Sequence, residues 1–142
     1  MTPDALARLH AQCFMLPPPW SAADFAQMLS DPACVMLHRA DAEALHAFVL
    51  FRLAADEAEL LTLATAPAAR RKGFARALVC DGLAAVARRG ARQCFLEVAA
   101  TNIAARGLYQ TLGFAQVGQR KAYYRGAEGV ADALVLKAKL ST

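Results

Sequence analysis

Residues 68–79 read AARRKGFARALV: three consecutive cations, Arg70, Arg71 and Lys72, then Gly73, then small and apolar residues at helical spacing. The strand-like stretch EAELLTLAT, residues 57–65, comes just before. A loop leading from a strand into a helix leaves the first helical N–H groups unpaired, at the positive end of the helix dipole, and so favours an anion. Gly73 removes a side chain where an anion must approach the backbone, and the small Ala75 gives the same clearance in the first turn. On the loop alone three readings stay open: one wall of an anion site, a tight turn with solvated cations, or a nucleic-acid patch. The chain has neither GxxxxGK[ST] nor GxGxxG, which leaves P-loop phosphoryl transfer and dinucleotide binding unsupported.

Two more residues carry chemistry. In RQCFLEVAA, residues 92–100, strand alternation puts Cys94, Leu96 and Val98 on one face and Phe95, Glu97 and Ala99 on the other. A carboxylate amid apolar residues of a central strand is costly to bury without a partner or a task. Near a strand end, Glu97 would simply be solvated. Tyr109 follows Asn102 by seven residues, so on a helix the two face the same way. Beside Leu108 and Leu112 it fits equally well as a core aromatic.

Other chemistries find little support. Cys13, Cys34, Cys80 and Cys94 show no CxxC or Cys/His ligand spacing, and are expected to be free structural thiols. His10, His38 and His46 do not pair at helical metal-ligand spacing, so no metal is expected. The net charge of +4 and pI of about 9.1 are modest. A phosphate-bearing ligand or an acidic partner accounts for them as well as nucleic acid does. No apolar run approaches the roughly 18 residues of a membrane span. The opening MTPDALARLH carries an acid and lacks an apolar signal region, so a cytoplasmic location is expected.

The elements that must position these residues follow from pattern. At 142 residues the chain is expected to be one domain, 1–142. PDALARLHAQC, residues 3–13, starts on proline and acid with Leu6, Leu9 and Cys13 at helical spacing. PPPW, residues 17–20, stops that helix, and Ser21 with Asp24 caps a second that carries Phe25, Met28 and Leu29. Strand patterns cover 34–40, 44–54 and 57–65, joined by the short connectors ADAE and AADE of antiparallel hairpins. Ala75, Leu78, Val79, Gly82, Leu83 and Val86 make one helical stripe, closed by Arg88, Arg89 and Gly90. A strand over 92–100, a helix over 101–113 and strands over 114–124 and 130–140 complete the chain. A strand–helix–strand unit after an antiparallel meander predicts an α/β (α+β) sheet of mixed direction, covered on both faces.

The segment ELLTLATAPAARRKGFARALV resembles the acetyl-CoA segment of the GNAT N-acetyltransferase superfamily, whose signature Q/R-x-x-G-x-G/A falls on Arg70, Gly73 and Ala75. LEVAATNIAARGLYQTLGF is similar to the strand and helix that follow it there. PPPWS, LYQTLGF, RKAYY and ADALVL point to the bacterial RimI-like subgroup, which acetylates the N-terminal alanine of a small-subunit ribosomal protein. The resemblance implies the GNAT fold, a central, mostly antiparallel mixed sheet flanked by helices, and acetyl-CoA as co-substrate. It places the pantetheine arm against the strand end Leu63, Ala64 and Thr65, and against Asn102. It places the pyrophosphate on the backbone amides of Arg71, Lys72, Gly73, Phe74, Ala75 and Arg76, with Arg70 and Arg71 adding charge. It makes Glu97 the general base and sets Tyr109 beside the cofactor sulfur, where a phenol can protonate a departing thiolate.

The chain departs from the subgroup at the acceptor side: Ala66 stands before the loop proline where aspartate is usual, and Ala99 and Thr101 replace the arginine and serine of LEVRxSN. The resemblance implies an N-terminal peptide of a ribosomal protein as acceptor, and a monomer or weak homodimer that contacts neither nucleic acid nor membrane. A small-molecule amine or a lysine side chain is the alternative acceptor. A CoA-binding module without turnover is disfavoured by retention of both Glu97 and Tyr109. Tyr123 and Tyr124 match the subgroup's paired tyrosines, which close over the peptide; they also suit cross-strand packing. Trp20 fits either a peptide groove or a hydrophobic corner.

Overall fold

A computed structural model describes residues 1–14, 19–126 and 129–140. Helix α1 (Pro3–Cys13) starts at Thr2, whose hydroxyl accepts from the Ala5 amide at 3.1 Å, with proline inside the first turn. Pro17 and Pro18 of the expected stop lie outside the described residues. Helix α2 (Ala22–Ser30) starts on a reciprocal capping box between Ser21 and Asp24, so two orphan donors are satisfied at once.

The strands are β1 (Cys34–Ala40), β2 (Leu45–Ala54), β3 (Glu57–Thr65), β4 (Gln93–Ala99), β5 (Ala115–Gly126) and β6 (Gly129–Lys139). They form one sheet in the order β1-β2-β3-β4-β6-β5. Among the described residues only β3 and β4 pair in parallel; the other four pairings are antiparallel. Helix α3 (Phe74–Arg88), after a short 3-10 turn at Pro67–Ala69, makes the crossover between that parallel pair, and helix α4 (Ile103–Thr111) follows β4. The expected mixed, mostly antiparallel sheet is thus the one formed.

The sheet buries both faces, by different means. Val49, Phe51, Leu60, Cys94 and Leu96 pack with Leu78, Val79 and Val86 of α3 and Tyr109 of α4. Phe48 and Ala64 pack with Leu6, Leu9 and Phe25 of α1 and α2 on the other face. Each fully buried Leu, Val or Phe side chain contributes about 1.5–3 kcal/mol. Gly82 lets α3 lie close on β2: a Cβ there would stand 2.1 Å from Cε2 of Phe51, which is wholly buried. On the second face Phe95, Glu97 and Arg120, on β4 and β5, line an open groove with Glu59 of β3.

One irregularity sets the geometry of everything that follows. The β2–β3 register passes from Phe51↔Leu60 to Leu50↔Thr62, so Leu61 is an extra residue, a β-bulge. Side-chain parity flips across it. Ala58 and Leu60 join the α3-side core, whereas Ala64 joins the α1-side core and Thr62 meets His10 of α1.

Candidate active site

The parallel ladder between β3 and β4 ends at the pair Leu60↔Leu96, at the bulge. Beyond it β3 runs on to Thr65 and β4 to Ala99 without pairing each other, so the sheet opens between them. Backbone groups of residues 61–65 that point away from β2 therefore face a gap instead of a strand. A cavity of about 110 Å³ occupies the gap and is lined from both faces of the sheet. Tyr109 reaches it from the α3–α4 side, and Glu97, His10, Thr62 and Tyr124 from the other.

Tyr109 is held by the way its helix ends. The Phe114 N–H donates to the Tyr109 carbonyl at 3.0 Å and the Gly113 N–H to that of Gln110 at 3.2 Å, with Gly113 at φ +93°. This is a Schellman motif, and its hydrophobic contact is the Tyr109–Phe114 ring pair, centroids 5.6 Å apart. The motif explains why LYQTLGF carries glycine before an aromatic. Tyr109 is 5% exposed, and burial, with minor help from Cys94 and Tyr124, pushes its hydroxyl far above the ordinary phenol range. At neutral pH it is a proton donor.

Glu97 stands where β4 passes from ladder to gap, between the cavity and the open groove. Its Oε1 accepts from Arg120 Nε at 2.9 Å, and the guanidinium also covers the Tyr123 ring at 5.3 Å from its centroid. Arg120 is aimed by a second irregularity, the register shift between Arg120 and Tyr124 in β5, where Ala122 adopts φ +50°. Asp132 of β6 holds it: one carboxylate oxygen accepts from the Ala122 amide at 2.7 Å, the other from Gln119 Nε2 at 2.8 Å. Tyr124 is thereby turned into the cavity, while Tyr123 is about half exposed. Burial first, then the Glu97 charge, pushes the Tyr124 hydroxyl up to about 12, so it too stays protonated. Glu59 shares the open groove, its carboxyl raised by burial and then by Glu97.

His10 is 1% exposed and stacks on Phe14 with centroids 4.4 Å apart. The Trp20 backbone N–H donates to its Nδ1 at 3.0 Å, which leaves the ring proton on Nε2, and Nε2 donates to Thr62 Oγ1 at 2.8 Å. Burial lowers its pKa to about 4, so the imidazole is neutral at physiological pH. Trp20 lines the cavity beside it.

A groove leads from the cavity to the glycine loop. About 560 Å³ of it runs past Leu63, Ala64, Thr65, Asn102, Ala105 and Leu108. A further 350 Å³ or so surrounds Thr65, Arg70, Arg71, Phe74, Ala75 and Arg76, with Gly73 at its edge. Gly73 is the N-cap of α3 at φ +80°, no side chain caps the helix, and Arg71 is also left-handed at φ +64°. The first internal bond runs from Ala77 N to Gly73 O at 3.1 Å, so the amides of Phe74, Ala75 and Arg76 have no partner within the helix. Arg70 Nε lies back on the Thr65 carbonyl at 3.4 Å, and Arg76 Nη2 reaches Thr111 Oγ1 of α4 at 3.3 Å. Asn102 caps α4, its Oδ1 accepting from Ala105 N at 3.2 Å, and borders both cavity and groove.

The structure therefore gathers Glu97, Tyr109 and Asn102 at one end, and the strand end with Arg70, Arg71, Gly73, Phe74, Ala75 and Arg76 along one path. Lys72 is exposed and borders none of these spaces. Sequence reasoning missed His10, Thr62, Glu59, Arg120 and Asp132. Only the basic pair before the tyrosines hinted at Arg120; the others depend on two bulges with no residue signature. Among the described residues no group of three or more His, Cys, Asp or Glu is placed to hold a metal.

Comparison with known proteins agrees with this geometry. The profile of the acetyltransferase (GNAT) family matches residues 4–114. A ribosomal protein bS18-alanine N-acetyltransferase of Escherichia coli is 36% identical over 95 residues, 67% of this chain and 64% of the relative. The aligned part thus spans just under two thirds of that protein. A Salmonella typhimurium protein of the same name is 32% identical over 123 residues, 87% of this chain and 82% of the relative. The crystal structure of the Escherichia coli ribosomal-protein-S18-alanine N-acetyltransferase superposes with a TM-score of 0.89 at 28% identity, covering 99% of this chain and 88% of that one. With a parted parallel strand pair, an uncapped glycine-led helix and a matching profile over most of its length, the chain belongs to the acetyltransferase (GNAT) family.

Proposed function

We propose that the protein transfers the acetyl group of acetyl-CoA directly to the N-terminal α-amino group, alanine, of a small-subunit ribosomal protein. The observation that carries this reading is the cavity where the strands part, with Glu97 and Tyr109 on its wall, at the end of a groove that begins on the glycine loop. The names of the bS18-alanine N-acetyltransferases at 32–36% identity support the acceptor. In this reading the amides of Phe74, Ala75 and Arg76 and the charges of Arg70 and Arg71 hold the pyrophosphate, and the strand end Leu63, Ala64 and Thr65, with Asn102, holds the pantetheine arm.

The chemistry asks little of the protein. A peptide α-amine has a pKa of about 7.7–8.0 against about 10.4 for lysine, so a modest base frees it. Glu97 takes the proton from the attacking amine as the new C–N bond forms. Unpaired backbone N–H groups facing the gap stabilise charge on the carbonyl oxygen. Tyr109, fully protonated, gives its proton to the sulfur as the C–S bond breaks, and no acetyl-enzyme forms. In this reading the reaction runs in the cytoplasm, on a monomer or weak homodimer, and uses no metal. Acetyl-CoA turnover is to be measured against peptides with free N-termini, with Ala and other first residues, and against spermidine and an aminoglycoside. Saturable turnover with Ala-initiated peptides is expected; saturable turnover on the small amines alone overturns the reading.

A further inference from the structure

The cavity contains a buried polar pair that the reaction as described leaves without a task. His10 and Thr62 are 1% and 6% exposed, come from α1 and β3, and meet at the point where the bulge turns Thr62 away from the α3-side core. A threonine hydroxyl has one proton and two lone pairs. Because the Trp20 N–H occupies Nδ1, His10 can only donate to Thr62, which consumes one lone pair and leaves the second free to accept an N–H. Thr62 and Glu97 both line the cavity, on the two strands that part there. The aromatic packing of His10 against Phe14, Trp20, Phe25 and Phe48 fixes the ring, and hence the direction of the bond it makes.

We propose that His10 orients the Thr62 hydroxyl so that its remaining lone pair accepts an N–H of the acceptor's amino group beside Glu97. Thr62 is then an acceptor-binding residue and His10 a positioning residue acting through it. Neither gains nor loses a proton: one N–H proton of the amine goes to Glu97, and Thr62, by accepting another, leaves the nitrogen lone pair free and aimed at the carbonyl. A neutral imidazole suits this task, since an imidazolium would repel the acceptor before it loses its own charge. The inference deepens the α-amine reading above and rests on it.

A purely structural link between α1 and β3 would have the same distances, so the test must separate the two. Thr62→Val removes the hydroxyl at equal shape but leaves the buried Nε2–H unpaired, which itself destabilises. The double variant His10→Phe, Thr62→Val replaces both partners by apolar groups, a change that is often nearly neutral for stability. Steady-state kinetics with an Ala-initiated peptide, acetyl-CoA binding by calorimetry and thermal melts are to be run on both, on Thr62→Ser and on the unaltered protein. In the double variant the expected result is a loss of roughly 10-fold or more in kcat/KM for the peptide, the size of one hydrogen bond. Acetyl-CoA affinity should change less than about 2-fold while melting recovers toward the unaltered value. Thr62→Ser should lie closer to the unaltered protein than to Thr62→Val. A folded double variant with undiminished kcat/KM overturns the role of the pair alone. Absence of peptide turnover by the unaltered protein overturns the α-amine reading, and this inference with it.

Discussion

Replacing Gly73 with alanine tests whether the loop binds its anion through backbone geometry. Gly73 sits at φ +80°, and a Cβ built there meets no atom within 4 Å. Steric clash within the protein is therefore absent, and the cost in the folded state is conformational. Holding an alanine in the left-handed region costs about 1–2 kcal/mol. For a chain of this size that lowers the melting temperature by about 2–8 °C. Binding should suffer more. The protein either keeps the turn and points a methyl group at the anion, or relaxes it and swings the amides of Phe74 and Ala75 away. A hydrogen bond to a charged group is worth about 1.5–3 kcal/mol, so losing one weakens acetyl-CoA by roughly 10–150-fold. Titration calorimetry with acetyl-CoA and with S-acetylpantetheine, which lacks the pyrophosphate, reads this directly: the preference for acetyl-CoA should collapse. Gly90→Ala is the control, at φ +100° with equally open surroundings but at the far end of α3. It should cost similar stability and leave the preference intact. Equal acetyl-CoA affinity in the two variants would refute the assignment of the loop.

Glu97→Gln and Tyr109→Phe should each lower kcat by about 10²–10⁴-fold, the usual reach of general acid–base catalysis, with acetyl-CoA affinity within about 3-fold; unchanged turnover in both removes them from the chemistry. Gly82→Ala gains about 1 kcal/mol of helix propensity but drives a methyl group into the wholly buried Phe51, an overpacking cost of about 1–3 kcal/mol. A net loss of up to about 2 kcal/mol by urea unfolding is expected, and a stabilised protein would show that α3 shifts freely on the sheet. His10 has a folded pKa of about 4, below its unfolded value of about 6.5. Its contribution is thus complete above pH 6.5 or so and lost as pH falls toward 4, by at most about 3 kcal/mol. Urea midpoints from pH 7 to 4 should decline less in His10→Phe than in the unaltered protein; parallel declines would show that another group governs acid unfolding.

Element types and the residues of the loop were legible because they rest on local signals. Pro3-Asp4 and Ser21-x-x-Asp24 announce helix starts, and Gly90 and Gly113 announce helix ends. The alternation in residues 93–99 put Glu97 opposite the core-facing Cys94, Leu96 and Val98, as found. The loop motif located the helix start and singled out Arg70, which lies along the groove, whereas Lys72, expected to offer only its amide, faces solvent. What escaped depends on register. Nothing in EAELLTLAT marks Leu61 as supernumerary, because the excess is defined only against the partner strand. With strict alternation, Thr62 would have been placed beside Leu60 in the α3-side core, and no sequence argument would join it to a histidine fifty-two positions away. The Arg120–Glu97 pair is hidden for the same reason, since the β5 bulge and its Asp132 anchor decide which cation of RKAYY reaches the carboxylate.

The bulge at Leu61 stores its information in a different currency from the rest of the protein. The parting of β3 from β4 and the inversion of side-chain parity both begin at it, and what makes it is a count of residues between two paired positions, not the identity of any one of them. Scanning substitutions along β3 would register Leu61 as an ordinary half-buried aliphatic and pass over it. The feature is visible only to a change of length: removing one residue would let the ladder with β2 run in register and return Thr62 to the opposite face. Side chains lining the opening, His10 and Thr62 among them, can be replaced one for one without altering that count, and the opening stays fixed by arithmetic.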